Sequence, residues 1–171
     1  MMKRILIAII SLILIFFAVL LFSNTAQYEV AKRLNTISGG SYAYSESYEL
    51  PYSETNVIKA IEKFKERNPK YKVPKVWIFT GNSFLLEDSK SENGLWFIAY
   101  LYDSYENRIF NIAIRGNETH TILEFASINQ GLQIGNWQDI NRDFSYDENQ
   151  ELKNNFEKVY LKSIKEILKN N

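Results

Sequence analysis

Residues Ile5 to Phe22 are apolar apart from Ser11, and they follow a basic start, Met1-Met2-Lys3-Arg4. As an α-helix, rising about 1.5 Å per residue, such a run is roughly 27 Å long, close to the hydrocarbon thickness of a bilayer. A helix buried in a soluble core carries a polar stripe, and this run has none. The sequence therefore predicts a short cytoplasmic N-terminus over 1–4 and a transmembrane signal anchor over 5–22. A cleaved signal peptide is the competing reading, with an apolar region of about 7–15 residues and a small-x-small cleavage site. The run here is longer, and cutting after Ala26 would put Asn24 at the third position back. Lys3 and Arg4 favour an inside N-terminus with the remaining chain outside the cell membrane. Cleavage would leave the domain secreted or periplasmic, on that same side.

The rest of the chain has the length of one domain with its own core. Without Lys3 and Arg4, its 18 basic residues face 20 acidic ones, a net charge of about −2. Phosphate backbones demand clustered positive charge, so nucleic acid is excluded as the main partner. There is no cysteine, hence no lipid attachment through one, no disulfide and no thiolate metal site.

Patterning predicts a juxtamembrane helix over Gln27–Ile37 and a linker at Ser38-Gly39-Gly40-Ser41, so that 23–41 joins the anchor to an extracytoplasmic domain over 42–171. Tyr42, Tyr44, Tyr48 and Leu50 recur at even positions, which predicts a first strand ended by Pro51. Ser53 is a natural N-cap for a helix striped with Val57, Ile58, Ile61 and Phe64 and stopped by Pro69. Strands follow over Val76–Thr80, Ser83–Glu87, Leu95–Tyr102, Arg108–Arg115 and Thr119–Ile128, separated by short polar turns that imply an antiparallel meander. The Leu95–Tyr102 run is wholly apolar or aromatic, which predicts cover on both faces. After a turn-rich stretch, Ser145 and Glu148 have capping-box spacing before a helix over Asp147–Leu168. Its lysines, Lys162, Lys165 and Lys169, lie late, where they suit the helix dipole. The fold class is α+β: a four- or five-stranded, mainly antiparallel sheet in a two-layer domain, with both amphipathic helices on one face.

Catalytic signatures are absent. His120 is the single histidine and has no assignable partner for general-base work. No Gly-x-Ser-x-Gly elbow, phosphate loop or dinucleotide fingerprint occurs. Calcium is the one cofactor the sequence admits, through Asp139, Asn141 and Asp143, which match positions one, three and five of an EF-hand loop. The match is partial: Phe144 stands where glycine turns the loop, and Gln150 where a bidentate carboxylate belongs. Otherwise no cofactor is expected. Asn117-Glu118-Thr119 is a glycosylation sequon on a turn.

These features predict a non-enzymatic, membrane-anchored domain that binds another envelope protein, as an accessory or immunity-type protein. Tyr42, Tyr44 and Tyr48, or an exposed sheet edge, are the expected docking residues. A small-ligand site on the side of the central strand bearing Trp96, Tyr100 and Tyr102 is the first alternative. A calcium-assisted enzyme built on the acidic 139–151 region is the second.

Overall fold

The computed structural model describes residues 2–38 and 41–170, the side chains at 2–5, 8, 17, 20–23 and 35–38 excepted. It forms two compact units, Met1–Ala43 and Tyr44–Asn171. The first unit contains one helix, α1, Met2–Ser38. It runs without a break through the stretch expected to be juxtamembrane. Among the described residues, which leave out six side chains of the apolar run, no helix is long and apolar enough to cross a membrane. The span expected over 5–22 thus rests on the sequence alone. Gly39 and Gly40, the middle of the expected linker, lie outside the described residues.

The second unit is a mixed α+β domain on a six-stranded antiparallel sheet. Its strands β1 (Glu46–Leu50), β4 (Ser89–Lys90), β5 (Phe97–Asp103), β6 (Arg108–Gly116) and β7 (Thr121–Gln130) are ordered β1-β7-β6-β5-β4. The sixth, β8 (Trp137–Asp139), pairs with the far half of β7. A separate hairpin joins β2 (Val76–Trp77) to β3 (Ser83–Phe84). The expected meander is the β5-β6-β7 centre of the sheet. Six strands exceed the expected four or five because β4 and β8 are short and polar, with no alternation to announce them. The expected strand Val76–Thr80 stops at Trp77, since the turn closes early: Gly81, with φ of 84°, sends its N–H to the Ile78 carbonyl. Residues 41–44 form a turn, so the first strand begins at Glu46 and excludes Tyr42 and Tyr44.

Helix α2 (Glu54–Arg67) is capped by Ser53, whose hydroxyl accepts from the Asn56 N–H, and it buries Val57, Ala60, Ile61 and Phe64. The C-terminal helix is continuous in space but changes winding: α3 (Tyr146–Asn155), a π-helical turn (Phe156–Leu161), then α4 (Lys162–Lys169). α2 and the C-terminal helix cover one sheet face. Their apolar stripes meet Leu50, Ala99, Leu101, Phe110, Ile112, Ile114, Leu123, Phe125 and Ile128 in one buried cluster. A bulge at Asn111/Ile112, which leaves Ala126 unmatched on β7, keeps those side chains on the helix side along both halves of the strand. The other face of β5 is half-buried rather than fully covered, as its alternating pattern shows.

The capping box is complete: Ser145 Oγ accepts from the Glu148 N–H, and the Glu148 carboxylate accepts from the Ser145 N–H and hydroxyl. Those bonds hold the Glu148 carboxyl below its ordinary pKa. A depressed carboxyl adds stability above its unfolded value, and that stability is lost as pH falls through the folded one. Ser145→Ala should cost about 1 kcal/mol at neutral pH. It should also flatten the acid limb of a melting-temperature-against-pH curve; an unchanged acid limb would show the cap contributes nothing.

Candidate functional site

β1 ends the sheet, so one side of its backbone carries no neighbouring strand. A groove of about 480 Å³ runs between it and the C-terminal helix, floored by Tyr48 and Leu161. Its helix wall carries Lys162, Lys165 and Lys169, spaced three and four apart and therefore on one stripe. All three are exposed, and among the described residues none forms an ion pair. Glu157 and Glu166 also line the groove, leaving it net positive.

The Tyr48 ring lies 5.7 Å from Phe156, and its hydroxyl donates to Glu157 at 3.1 Å. Burial first, then the Glu157 charge, pushes the phenol well above its usual range. It stays protonated and can donate at any physiological pH. Across the strand, Glu49 is exposed and stands 4.0 Å from His120 Nε2.

Of the three tyrosines expected to dock a partner, only Tyr48 lies on β1. Tyr42 falls in the first unit, in the turn. Tyr44 lies with its ring 5.1 Å from the Arg142 guanidinium. The lysine stripe was legible in the sequence as a dipole complement; that it flanks an open sheet edge required the fold.

Asp139 and Asp143 come together around Arg142, and the Asn141 side chain is engaged elsewhere. The guanidinium lies 2.8 Å from Asp139 and 2.9 Å from Asp143. Asp143 also accepts from the Asp139 N–H. Burial raises the Asp139 carboxyl, against the opposing pull of Arg142. Asn141, at φ 61°, turns its amide nitrogen to Ser45 O and Glu46, while its oxygen accepts from Asn149 and Lys153. Among the described residues no group of three or more His, Cys, Asp or Glu is arranged to hold a metal ion. A cation here would have to displace Arg142. Millimolar calcium should leave the melting temperature unchanged; a rise of several degrees would give the loop a metal.

Tyr100 and Tyr102 sit on the sheet face away from the helices, as Ala99 and Leu101 enter the helix-side core, and Trp96 immediately precedes β5. Their rings are occupied: Tyr100 packs 5.9 Å from Trp137, Arg115 lies 5.8 Å from Trp96, and the Tyr102 hydroxyl donates to Asn107. A cleft of about 530 Å³ opens instead at the end of the β5-β6 hairpin, beside the π-helical turn. There Asp103, nearly buried, accepts from Arg108 Nε at 3.1 Å and from the N–H groups of Tyr105 and Glu106.

The β2-β3 hairpin exposes Trp77, Ile78, Phe79, Phe84 and Leu85. Sequence patterning places these apolar residues in the expected strands Val76–Thr80 and Ser83–Glu87. The signal that marks them out is the absence of any charge from Val76 to Leu86.

No family model matches this chain, and no curated protein or solved structure shows significant similarity to it.

Proposed function

We propose that the chain is a membrane-anchored, extracytoplasmic protein-interaction domain without catalytic activity, an accessory or immunity-type envelope protein. It pairs β1 with an extended, acidic segment of another envelope protein. The observation that carries this reading is the open edge of β1 beside a groove walled by three exposed lysines. Main-chain pairing along a free edge supplies affinity, and side-chain pockets beside it supply selectivity. Lysines on that wall favour carboxylates and repel a basic segment.

The anchor reading rests on the sequence of 5–22, and the exposure of its apolar side chains on α1 is consistent with it. Leu12, Ile13, Leu14, Ile15 and Phe16 are consecutive and all exposed, so the apolar surface runs right round the helix. Such a surface calls for a non-aqueous surrounding. Lys3 and Arg4 set the domain outside.

The test is a cross-linked capture from native membranes with the full-length chain, comparing wild type with Lys162→Glu/Lys165→Glu. Both side chains are exposed, so the fold should tolerate the change within a few tenths of a kcal/mol. A co-captured protein should be reduced at least tenfold by the reversal and weakened by salt, with its cross-linked segment acidic. Tyr48→Ala should weaken capture too, although the ring also packs on Phe156. Equal capture by wild type and reversal would sink the assignment.

A further inference from the structure

The β2-β3 hairpin is rooted and its tip is not. Val76 is fully buried. The Trp77 N–H bonds to Leu132 O at 3.0 Å, and its carbonyl accepts from Ile134 N–H at 2.9 Å. Beyond that root, Ile78 N–H closes onto Asn82 O, and Gly81 turns the chain at positive φ. Phe79, at the turn, is 93% exposed, and Leu85 is 57% exposed. An apolar tip held out on a fixed root loses free energy in water and gains it in a non-aqueous phase.

We propose that this hairpin is a membrane-contacting lip, dipping Phe79, Ile78 and Leu85 into the headgroup–acyl boundary. Three observations favour lipid over protein as the occupant. The eleven residues Val76–Leu86 carry no charge, while exposed Lys72 and Lys75 stand immediately before them, placed to meet anionic headgroups. The hairpin combines tryptophan, phenylalanine and aliphatic residues, the composition of segments that settle at a membrane interface. It is also a turn that leaves the Phe79 side chain 93% exposed. The proposal rests on the anchor reading: residues 23–43 can hold the domain no farther than roughly 75 Å from the bilayer even when fully extended. That confinement supplies a high effective concentration, so a lip of weak intrinsic affinity can still engage.

The natural chain has no cysteine, so single cysteines can be labelled without background. The full chain, reconstituted in anionic vesicles, would carry a fluorophore at Phe79→Cys, Leu85→Cys, Ile13→Cys or Glu92→Cys. Labels at 79 and 85 should be quenched several-fold more by lipid-borne than by aqueous quenchers. The label at exposed Glu92 should show the reverse, and the one at 13 should respond only to lipid. If 13 lies in lipid while 79 and 85 respond like 92, the lip is overturned and the hairpin becomes a protein-docking surface. If 13 itself responds to aqueous quencher, the anchor fails and the lip fails with it.

Discussion

Replacing Phe156 by alanine is expected to destabilise the domain by about 4 kcal/mol and to lower its melting temperature by more than 10 °C. The side chain is fully buried where the C-terminal helix widens into its π turn. Its ring stacks on Phe125 at 4.5 Å, and the Phe110 ring stands edge-on at 6.2 Å. Phe110 in turn meets Tyr160 at 5.1 Å, and Tyr160 meets Phe64 of α2 at 6.1 Å. This linked set of rings therefore joins both helices to β6 and β7. Truncation removes transfer free energy and leaves a cavity that a sheet-backed site cannot close. Phe79→Ala removes the same ring from an exposed turn and should change stability by no more than about 0.5 kcal/mol. Thermal denaturation of the two variants side by side separates burial from residue type. A loss below 1 kcal/mol for Phe156→Ala would mean that this stack does not organise the core.

Asn149→Ala should be the costliest polar substitution, at about 2–3 kcal/mol. Asn149 is fully buried, its oxygen accepting from the Asn141 N–H at 2.9 Å and its amide donating to Asn141 Oδ1 at 2.6 Å. Alanine strands the part-buried Asn141 N–H and removes two of the hydrogen bonds that hold Asn141 in its left-handed conformation. Asn141 also holds Ser45 O, so the loss should spread to the start of β1. Amide exchange by mass spectrometry should show faster exchange over 139–146 and 44–47, with the β5-β6 centre unaffected. Uniform acceleration across the sheet would instead indicate global destabilisation with no local clamp.

Much of the domain was legible in its central elements. β6 and β7 are apolar runs bounded by short polar turns, and α2 and the C-terminal helix carry a single stripe each. Ser53 and Ser145 announce their helices through the hydrogen bonds they form. What was not legible depends on tertiary context. Ser89-Lys90 and Trp137-Gln138-Asp139 become strands only because a longer neighbour offers them a partner edge. Tyr42, Tyr44 and Tyr48 share a sequence rhythm, yet a turn separates the first two from the strand. The acidic run 139–143 reads as ligand oxygens until Arg142, in the middle of the run, folds back to occupy the place of a cation. The candidate groove joins Tyr48 to lysines more than a hundred residues away, a proximity that no local pattern encodes.

The most direct test of the interaction reading is site-specific photo-cross-linking from β1. A photoreactive side chain in place of Glu49, whose own side chain is 78% exposed, would be introduced into the full-length chain in its native membrane, with Glu92 as a distant control position. The account predicts an adduct from position 49 and none from 92, mapping to an extended acidic segment of an envelope protein and lost on Lys162→Glu/Lys165→Glu. An adduct of equal yield from both positions, or one from 49 that is indifferent to the lysines, would contradict it.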